Sequence, residues 1–188
     1  MNKTKRKIFE ASMKLFAEKG YDATSIEEIT ATVGVAKGTL YYHFSSKEEI
    51  FNFLVEEGMK LLKNSIEIKT EKLEKSIDKI RAIVLIELKV LAKYENFMTI
   101  VLSQIWGTDS KSQICKEYVF EYITIIEKIV KEGMDKEEII KGDSSLIASG
   151  IFGLVCSSLL YKMREEKELE IEKTYRKIDR EYIRKLIK

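Results

Sequence analysis

Hydrogen-bond donors, aromatic rings and glycines are concentrated in one short stretch of the chain, residues 34–44. Lysine and histidine can donate to phosphate oxygens, and hydroxyl groups can contact phosphates or base edges. A glycine on an exposed helix face lets a partner approach the backbone closely. These residue types suit contact with a nucleic acid. The candidate contacts are Lys37, Gly38, Thr39, Tyr41, Tyr42 and His43, the single histidine of the protein.

Two short helices joined by a tight turn must position these side chains. Gly34 suits the turn, because glycine adopts backbone conformations that other residues resist. Before it, a helix start fits either of two capping boxes, Thr24 with Glu27 or Ser25 with Glu28. The free N–H groups at a helix N-terminus favour a phosphate, so Thr24 and Ser25 are further candidate contacts. The sequence therefore predicts a helix-turn-helix.

The second of these helices has an inner and an outer face. Ala36, Leu40 and Phe44 recur at four-residue spacing and are predicted to pack inward. The outer face then presents the candidate contacts to a major groove. Lys47 adds a cation at the start of the next helix, and basic residues within 3–7 form an arm for the DNA backbone or the minor groove. Through Lys47 there are eight Lys or Arg against five Asp or Glu, a net charge of +3.

These residues resemble the DNA-binding domain of the tetracycline-repressor (TetR) family of transcriptional regulators, on the strength of residues 24–29, 34–44 and 46–48. The resemblance implies an all-α protein. A three-helix DNA-binding domain would occupy residues 1–47, and a larger helical effector-binding and dimerisation domain residues 48–188. It also implies a homodimer, a palindromic DNA operator and release of the operator when a small molecule binds.

Two positions depart from the family's pattern. Ala36 stands where Ser or Thr usually begins the recognition helix, which removes an N-cap worth about 1 kcal/mol. Thr30 stands where a small alanine is common. Because of the first departure, Ala36 is not included among the candidate DNA contacts.

Composition supports a helical protein independently of the resemblance. The chain has no proline and only nine glycines, so the residues that usually interrupt helices and form the turns between strands are absent or few. Cys115 and Cys156 lie in apolar surroundings without C-x-x-C spacing, which indicates reduced thiols in a cytoplasmic protein. The N-terminus lacks the uninterrupted apolar run of a signal peptide. Neither a cofactor, a metal nor a membrane partner is expected.

The charge-free run of residues 144–161 approaches the length of a membrane span, but its five serines and two glycines argue against one. Ser149, Gly153 and Ser157 recur every four residues and form a helix face that carries only small side chains. The family resemblance assigns such a face to a dimer interface built from the last two long helices. The alternative is a core helix within one protomer. In the last helix the candidate interface residues are Tyr175, Ile178 and Tyr182.

The resemblance also implies an effector pocket lined by the central helices. Glu87 is the unusual residue there, because it lies in an aliphatic stripe where an unpaired carboxylate is costly. Three interpretations are open: recognition of a cationic effector, a surface position, or a salt bridge with a lysine. The remaining candidates are Tyr94, Phe97, Met98, Trp106, Tyr118, Tyr122 and Phe152, most of which are expected to be ordinary core.

Three functions compete at this point. The first is a regulator that reads an operator and responds to a mainly apolar small molecule. The second is an enzyme, which the sequence does not favour: its one histidine lies on the outward helix, and no nucleophile–base pair, phosphate loop or metal-ligand cluster accompanies it. The third is a protein-interaction module. Steep salt dependence of binding to duplex DNA would separate the first from the others.

Overall fold

The structure is a computed structural model that describes residues 2–165 and 170–188. In this part of the chain helices account for the regular structure and no strand forms, which confirms the predicted all-α fold. The helices are α1 (Lys3–Lys19), α2 (Ile26–Val33), α3 (Lys37–His43), α4 (Lys47–Thr70), α5 (Ser76–Lys93), α6 (Glu95–Gln104), α7 (Ser110–Asp135), α8 (Ser144–Glu165) and α9 (Ile171–Glu181), followed by a 3₁₀ turn at Ile183–Leu186.

The first of two compact units comprises the chain up to Met59 together with Glu95–Tyr118. Helix α1 packs against α2, α3 and α6 in this unit. Gly20 ends α1 with a positive φ of 86° and donates its N–H to the carbonyl of Phe16. The core holds the side chains Ile8, Phe16, Ile29, Leu40, Phe44, Ile50, Phe51 and Leu54, all fully or almost fully buried.

The second unit comprises Lys60–Tyr94 and Val119–Lys188, within the described residues. Helix α5 packs against α8 and α9. Asp179 of α9 accepts hydrogen bonds from Arg81 of α5 and from Arg184, both at 2.8 Å, so an ionic network holds α9 to α5. Although burial opposes its ionisation, the two arginines keep the pKa of Asp179 below its ordinary value.

Helices α4 and α7 contribute residues to both units. The predicted domain limits, residues 1–47 and 48–188, therefore stay a prediction. Of the helices that the structure describes, none combines the length and apolar character that a membrane crossing requires.

Both cysteines are free thiols. Burial raises the pKa of Cys115 and of Cys156 to about 12, so each thiol stays protonated at neutral pH. This state agrees with the reduced thiols that the sequence indicates.

Candidate DNA-binding site

The start of α2 settles which capping box forms. Ser25 is the N-cap: its hydroxyl accepts from the N–H of Glu28 at 3.1 Å, and the Glu28 carboxylate accepts from the N–H of Ser25 at 2.9 Å. The box uses Ser25 rather than Thr24 because the hydroxyl of Thr24 donates a hydrogen bond to the carbonyl of Gly20. Helix α2 then ends at Gly34, whose left-handed backbone (φ 73°, ψ 39°) makes the turn into α3.

Helix α3 separates buried from exposed side chains as the spacing predicts. Leu40 is buried, while Tyr41 and Tyr42 are 45% and 84% exposed. Tyr42 and His43 stack edge to face with their ring centroids 5.1 Å apart. Ala36, which was predicted to pack inward, is exposed and occupies the N-cap without a side-chain hydrogen bond. The exposed face of α3 therefore carries hydroxyl groups and aromatic rings next to the lysine at its first residue.

Gly38 lies exposed in the first turn of α3, and its φ is not positive. A Cβ built at this position meets no atom within 4 Å. The fold of this protomer therefore does not require glycine here. Glycine costs a helix about 1 kcal/mol relative to alanine. Its presence at this position is therefore consistent with a binding partner that must approach the backbone of α3 closely.

Lys37, the first residue of α3, pairs with a carboxylate that sequence reasoning did not single out. Its ammonium group donates a hydrogen bond to Glu27 of α2. This hydrogen bond raises the pKa of Lys37 and lowers the pKa of Glu27, so both groups are charged at neutral pH. Glu27 was considered only as a partner for Thr24 in a capping box. Glu27 and Lys37 are ten residues apart in the sequence, on either side of the turn at Gly34, and only the folded structure brings their side chains together.

Two predicted DNA contacts, Thr24 and Lys47, form hydrogen bonds within the protein. Thr24 is 1% exposed, and its hydroxyl donates to the carbonyl of Gly20 at 2.8 Å. The ammonium of Lys47 donates to the carbonyls of Tyr21 and Thr24, both at 2.8 Å, and lies 4.3 Å from the centroid of the Tyr21 ring. Thr24 cannot reach a phosphate from a buried position. Lys47 is held by the loop between α1 and α2, so its position indicates a structural role.

The remaining predicted contacts are accessible to different degrees. Thr39 and His43 are half-buried, and Ser25 is half-buried at the start of α2. The basic residues within 3–7 do not form a separate arm, because α1 begins at Lys3. Lys5 lies over the rings of Phe44 and Phe53, at 4.8 and 4.2 Å from their centroids, and thereby fixes the first turns of α1 to the unit.

Three of the candidate effector residues meet in the second unit. Glu87 is 5% exposed and accepts a hydrogen bond from the hydroxyl of Tyr122. The Tyr122 ring in turn contacts the Phe152 ring edge to face, with the two ring centroids 5.9 Å apart. The interpretation of Glu87 as a surface residue is therefore wrong, and among the described residues it forms no salt bridge with a lysine. Its other carboxylate oxygen, Oε2, has no hydrogen-bond partner within the described residues.

The electrostatics of this pair follow from its burial. Desolvation raises the pKa of Glu87 to about 8, although the hydrogen bond from Tyr122 opposes the shift. Burial and the neighbouring Glu87 raise the pKa of Tyr122 well above its ordinary value. At neutral pH both groups are therefore mainly uncharged, and Glu87 carries a proton that an ordinary glutamate would have lost.

The other candidate effector residues differ in their burial. Trp106 is 86% exposed, which is not the position of a residue lining an enclosed pocket in this protomer. Phe97 and Met98 are buried in the first unit, where the Phe97 ring fills the space that a side chain at Gly58 would need. Tyr94 and Tyr118 are half-buried.

The candidate dimer residues fall into two groups. Ser149, Gly153 and Ser157 are exposed along α8, as a helix interface requires. In α9, by contrast, Ile178 is 6% exposed in a helix that packs on α5, so its side chain is not free for a second protomer. Tyr175 is half-buried, and Tyr182 is 52% exposed.

Taken together, the first unit defines a helix-turn-helix protein whose α3 exposes a polar and aromatic face. Residues 8–54 match the family model described as "Bacterial regulatory proteins, tetR family". A solved structure described as a "Clostridium perfringens putative fatty acid metabolism regulator" is 33% identical, with a TM-score of 0.91 over 97% of this chain and 99% of that one. The chain belongs to the TetR family, which confirms the predicted family.

Two curated relatives are also transcriptional regulators. The HTH-type regulator YerO of Bacillus subtilis (strain 168) is 28% identical over 164 residues, which are 80% of this chain and 54% of YerO. The biofilm operon negative regulator IcaR of Staphylococcus aureus (strain Newman) is 40% identical over 74 residues, which are 39% of this chain and 40% of IcaR. The matched segments thus cover about half or less of these two proteins.

Proposed function

We propose that this protein is a repressor that binds a palindromic DNA operator as a homodimer and leaves it when a small-molecule effector binds. The observation that carries the proposal is the exposed face of α3. It presents a lysine, hydroxyl groups and aromatic rings, while the residues between them anchor the helix to its unit. A helix of this kind can enter a major groove. The negative regulation by IcaR supports repression rather than activation.

Gly38 provides a test that separates folding from DNA binding. Alanine at this position meets no atom of the protomer, so we expect Gly38→Ala to fold and to be stabilised by about 1 kcal/mol. If α3 lies against DNA, the same methyl group reaches the duplex and weakens operator binding. The assay selects bound sequences from randomised duplex DNA with the full-length protein and then measures affinity for the selected sequence.

The matched control is Gly142→Ala, since a Cβ there makes an ordinary contact of 3.5 Å with Ile147 and the residue lies outside the helix-turn-helix. We expect this variant to bind the operator as the unaltered protein does. Selection that enriches no palindrome would refute the proposed function. Equal operator affinity of Gly38→Ala and the unaltered protein would show that α3 does not approach DNA at this residue.

The homodimer would use the exposed face of α8. Gly150 and Gly153 have no atom within 4 Å of a built Cβ, so a second helix could approach this face closely. Leu146 and Tyr161 on the same helix are 70% and 67% exposed, which leaves apolar surface that dimerisation would bury. This arrangement supports the interpretation of the charge-free run as an interface. Size-exclusion chromatography with light scattering tests it directly.

The effector we propose is a fatty acid or its thioester. The proposal is supported by the description of the Clostridium perfringens protein as a fatty acid metabolism regulator, at 33% identity over almost the whole chain. Glu87 suits such a ligand, because a carboxylic acid that stays protonated can donate a hydrogen bond to a carbonyl oxygen. A cationic effector would instead require Glu87 to lose its proton.

Titration of the operator complex with palmitoyl-CoA tests this part of the proposal. We expect the acyl thioester to release the DNA, whereas free coenzyme A, the matched control without the acyl chain, leaves the complex intact. Glu87→Gln keeps the size of the side chain and a hydrogen-bond donor in place of the acid proton, so it should keep the response, whereas Glu87→Leu removes the donor and should weaken it. An unchanged response in Glu87→Leu would exclude Glu87 from the effector site.

A further inference from the structure

The ion pair between Glu27 and Lys37 connects the two helices of the helix-turn-helix on their exposed side. Glu27 is the second residue of α2 and Lys37 the first residue of α3. Their side chains remain 65% and 54% exposed although they are paired. The pair therefore lies where the first turn of α3 would meet DNA, since the N-terminal residues of a recognition helix contact base edges.

Stability alone does not account for this pair. Exposed ion pairs contribute little to folding, and salt screens them further. For DNA binding the pair has an evident cost, because the carboxylate of Glu27 repels phosphate groups and compensates the charge of Lys37. A residue that lowers general affinity for DNA is expected to contribute to selectivity.

The pair offers a donor and an acceptor side by side. In the major groove, guanine presents two acceptors, O6 and N7, next to the N4 amino group of its paired cytosine, which is a donor. Lysine donates to the guanine acceptors and glutamate accepts from the cytosine amino group. An ammonium and a carboxylate already within hydrogen-bonding distance of each other thus match the edge of one G·C base pair.

We propose that Glu27 and Lys37 together read one G·C base pair in each operator half-site, with Lys37 on the guanine and Glu27 on the cytosine. This inference rests on the proposed function, because it assumes that α3 enters the major groove. An A·T pair fits less well, because its donor, the adenine N6 amino group, lies between two single acceptors, N7 and thymine O4, so the lysine loses the two adjacent acceptors that guanine presents. Glu27 also disfavours any base that turns an acceptor toward it.

The experiment compares the sequence preferences of four full-length proteins selected on the same randomised duplex DNA. Two are Glu27→Ala and Lys37→Ala, and the third is unaltered. The matched control is Glu18→Ala, which removes an exposed carboxylate paired with Lys14 on α1 of the same unit. Thermal unfolding of each variant shows that it is folded before selection.

We expect the unaltered protein and Glu18→Ala to prefer G·C at one position of each half-site by about 5- to 150-fold, the range for one specific base contact. Glu27→Ala and Lys37→Ala should both lose preference at that same position and keep it elsewhere. Glu27→Ala should also bind random duplex DNA more tightly, because it lacks the repulsive carboxylate.

The two ways of failing are distinct. If the unaltered protein selects a palindrome and Glu27→Ala selects the identical sequence, the pair does not read bases and the inference is overturned while the proposed function stands. Loss of preference at different positions in the two variants would likewise overturn joint reading of one base pair. If the unaltered protein enriches no palindrome, the proposed function fails and the inference falls with it.

Discussion

Glu87 is expected to make the stability of the protein fall as pH rises from 5 to 8.5. Burial raises the pKa of Glu87 to about 8 in the folded protein, despite the hydrogen bond from Tyr122. In the unfolded chain the carboxyl group titrates near its ordinary pKa of about 4.3. Between these values the folded state keeps a proton that the unfolded state has lost, so raising the pH favours unfolding.

The size of the effect follows from the two pKa values. Each pH unit between them changes the free energy of unfolding by about 1.4 kcal/mol, which amounts to about 4 kcal/mol between pH 5 and pH 8.5. The stabilisation is fully present below about pH 4 and is lost as the pH rises to the folded pKa. The structural cause is a carboxylate whose Oε2 finds no partner within the described residues once it is charged.

The assay is chemical denaturation at a fixed protein concentration, at pH 5 and pH 8.5, for the unaltered protein, Glu87→Gln and the exposed-site control Glu71→Gln. Glutamine keeps the hydrogen bond to Tyr122 but cannot ionise. We expect Glu87→Gln to lose about 4 kcal/mol less than the unaltered protein over this range, and Glu71→Gln to follow the unaltered protein. Parallel pH profiles for all three would refute the assignment of a buried, protonated Glu87.

Three further predictions concern other parts of the chain. Lys47→Met should lower the free energy of unfolding by about 2 kcal/mol, because the carbonyl of Thr24 loses its charged donor; a fall of about 1 in the salt slope of DNA binding would instead identify Lys47 as a phosphate contact. Asp179→Asn should lower the free energy of unfolding measured in urea by about 2 kcal/mol, since the side chain loses its charge and an NH2 group replaces one of the two oxygens that accept from Arg81 and Arg184. Gly153→Leu should yield monomers by light scattering, and an intact dimer at micromolar concentration would count against the α8 interface.

Much of the DNA-binding site could be predicted from the sequence because its determinants are local. The turn at Gly34, the buried Leu40 and the exposed Tyr42 follow from residue type and helical spacing within a few residues. The same holds for the helix start before α2, although two registers fitted it equally well. The choice of Ser25 depended on contacts that Thr24 makes with the preceding loop.

Other features required the positions of residues far apart in the chain. A lysine next to a helix-turn-helix suggests a phosphate contact. Lys47 instead donates to the carbonyls of Tyr21 and Thr24, which lie more than twenty residues earlier in the chain. The periodicity of α9 shows an apolar stripe without showing its partner, and the structure packs Ile178 in a helix that lies against α5.

Sequence alone thus determined the all-α fold, the helix-turn-helix and the family, since spacing, capping and turn residues act between near neighbours. Tertiary structure alone decided which polar groups remain free to bind a partner. Lys37 is paired with Glu27 across the turn, and Glu87 is paired with Tyr122 across 35 positions of the chain. The physical reason is that charge and hydrogen bonding depend on distance and burial, which the order of residues does not specify.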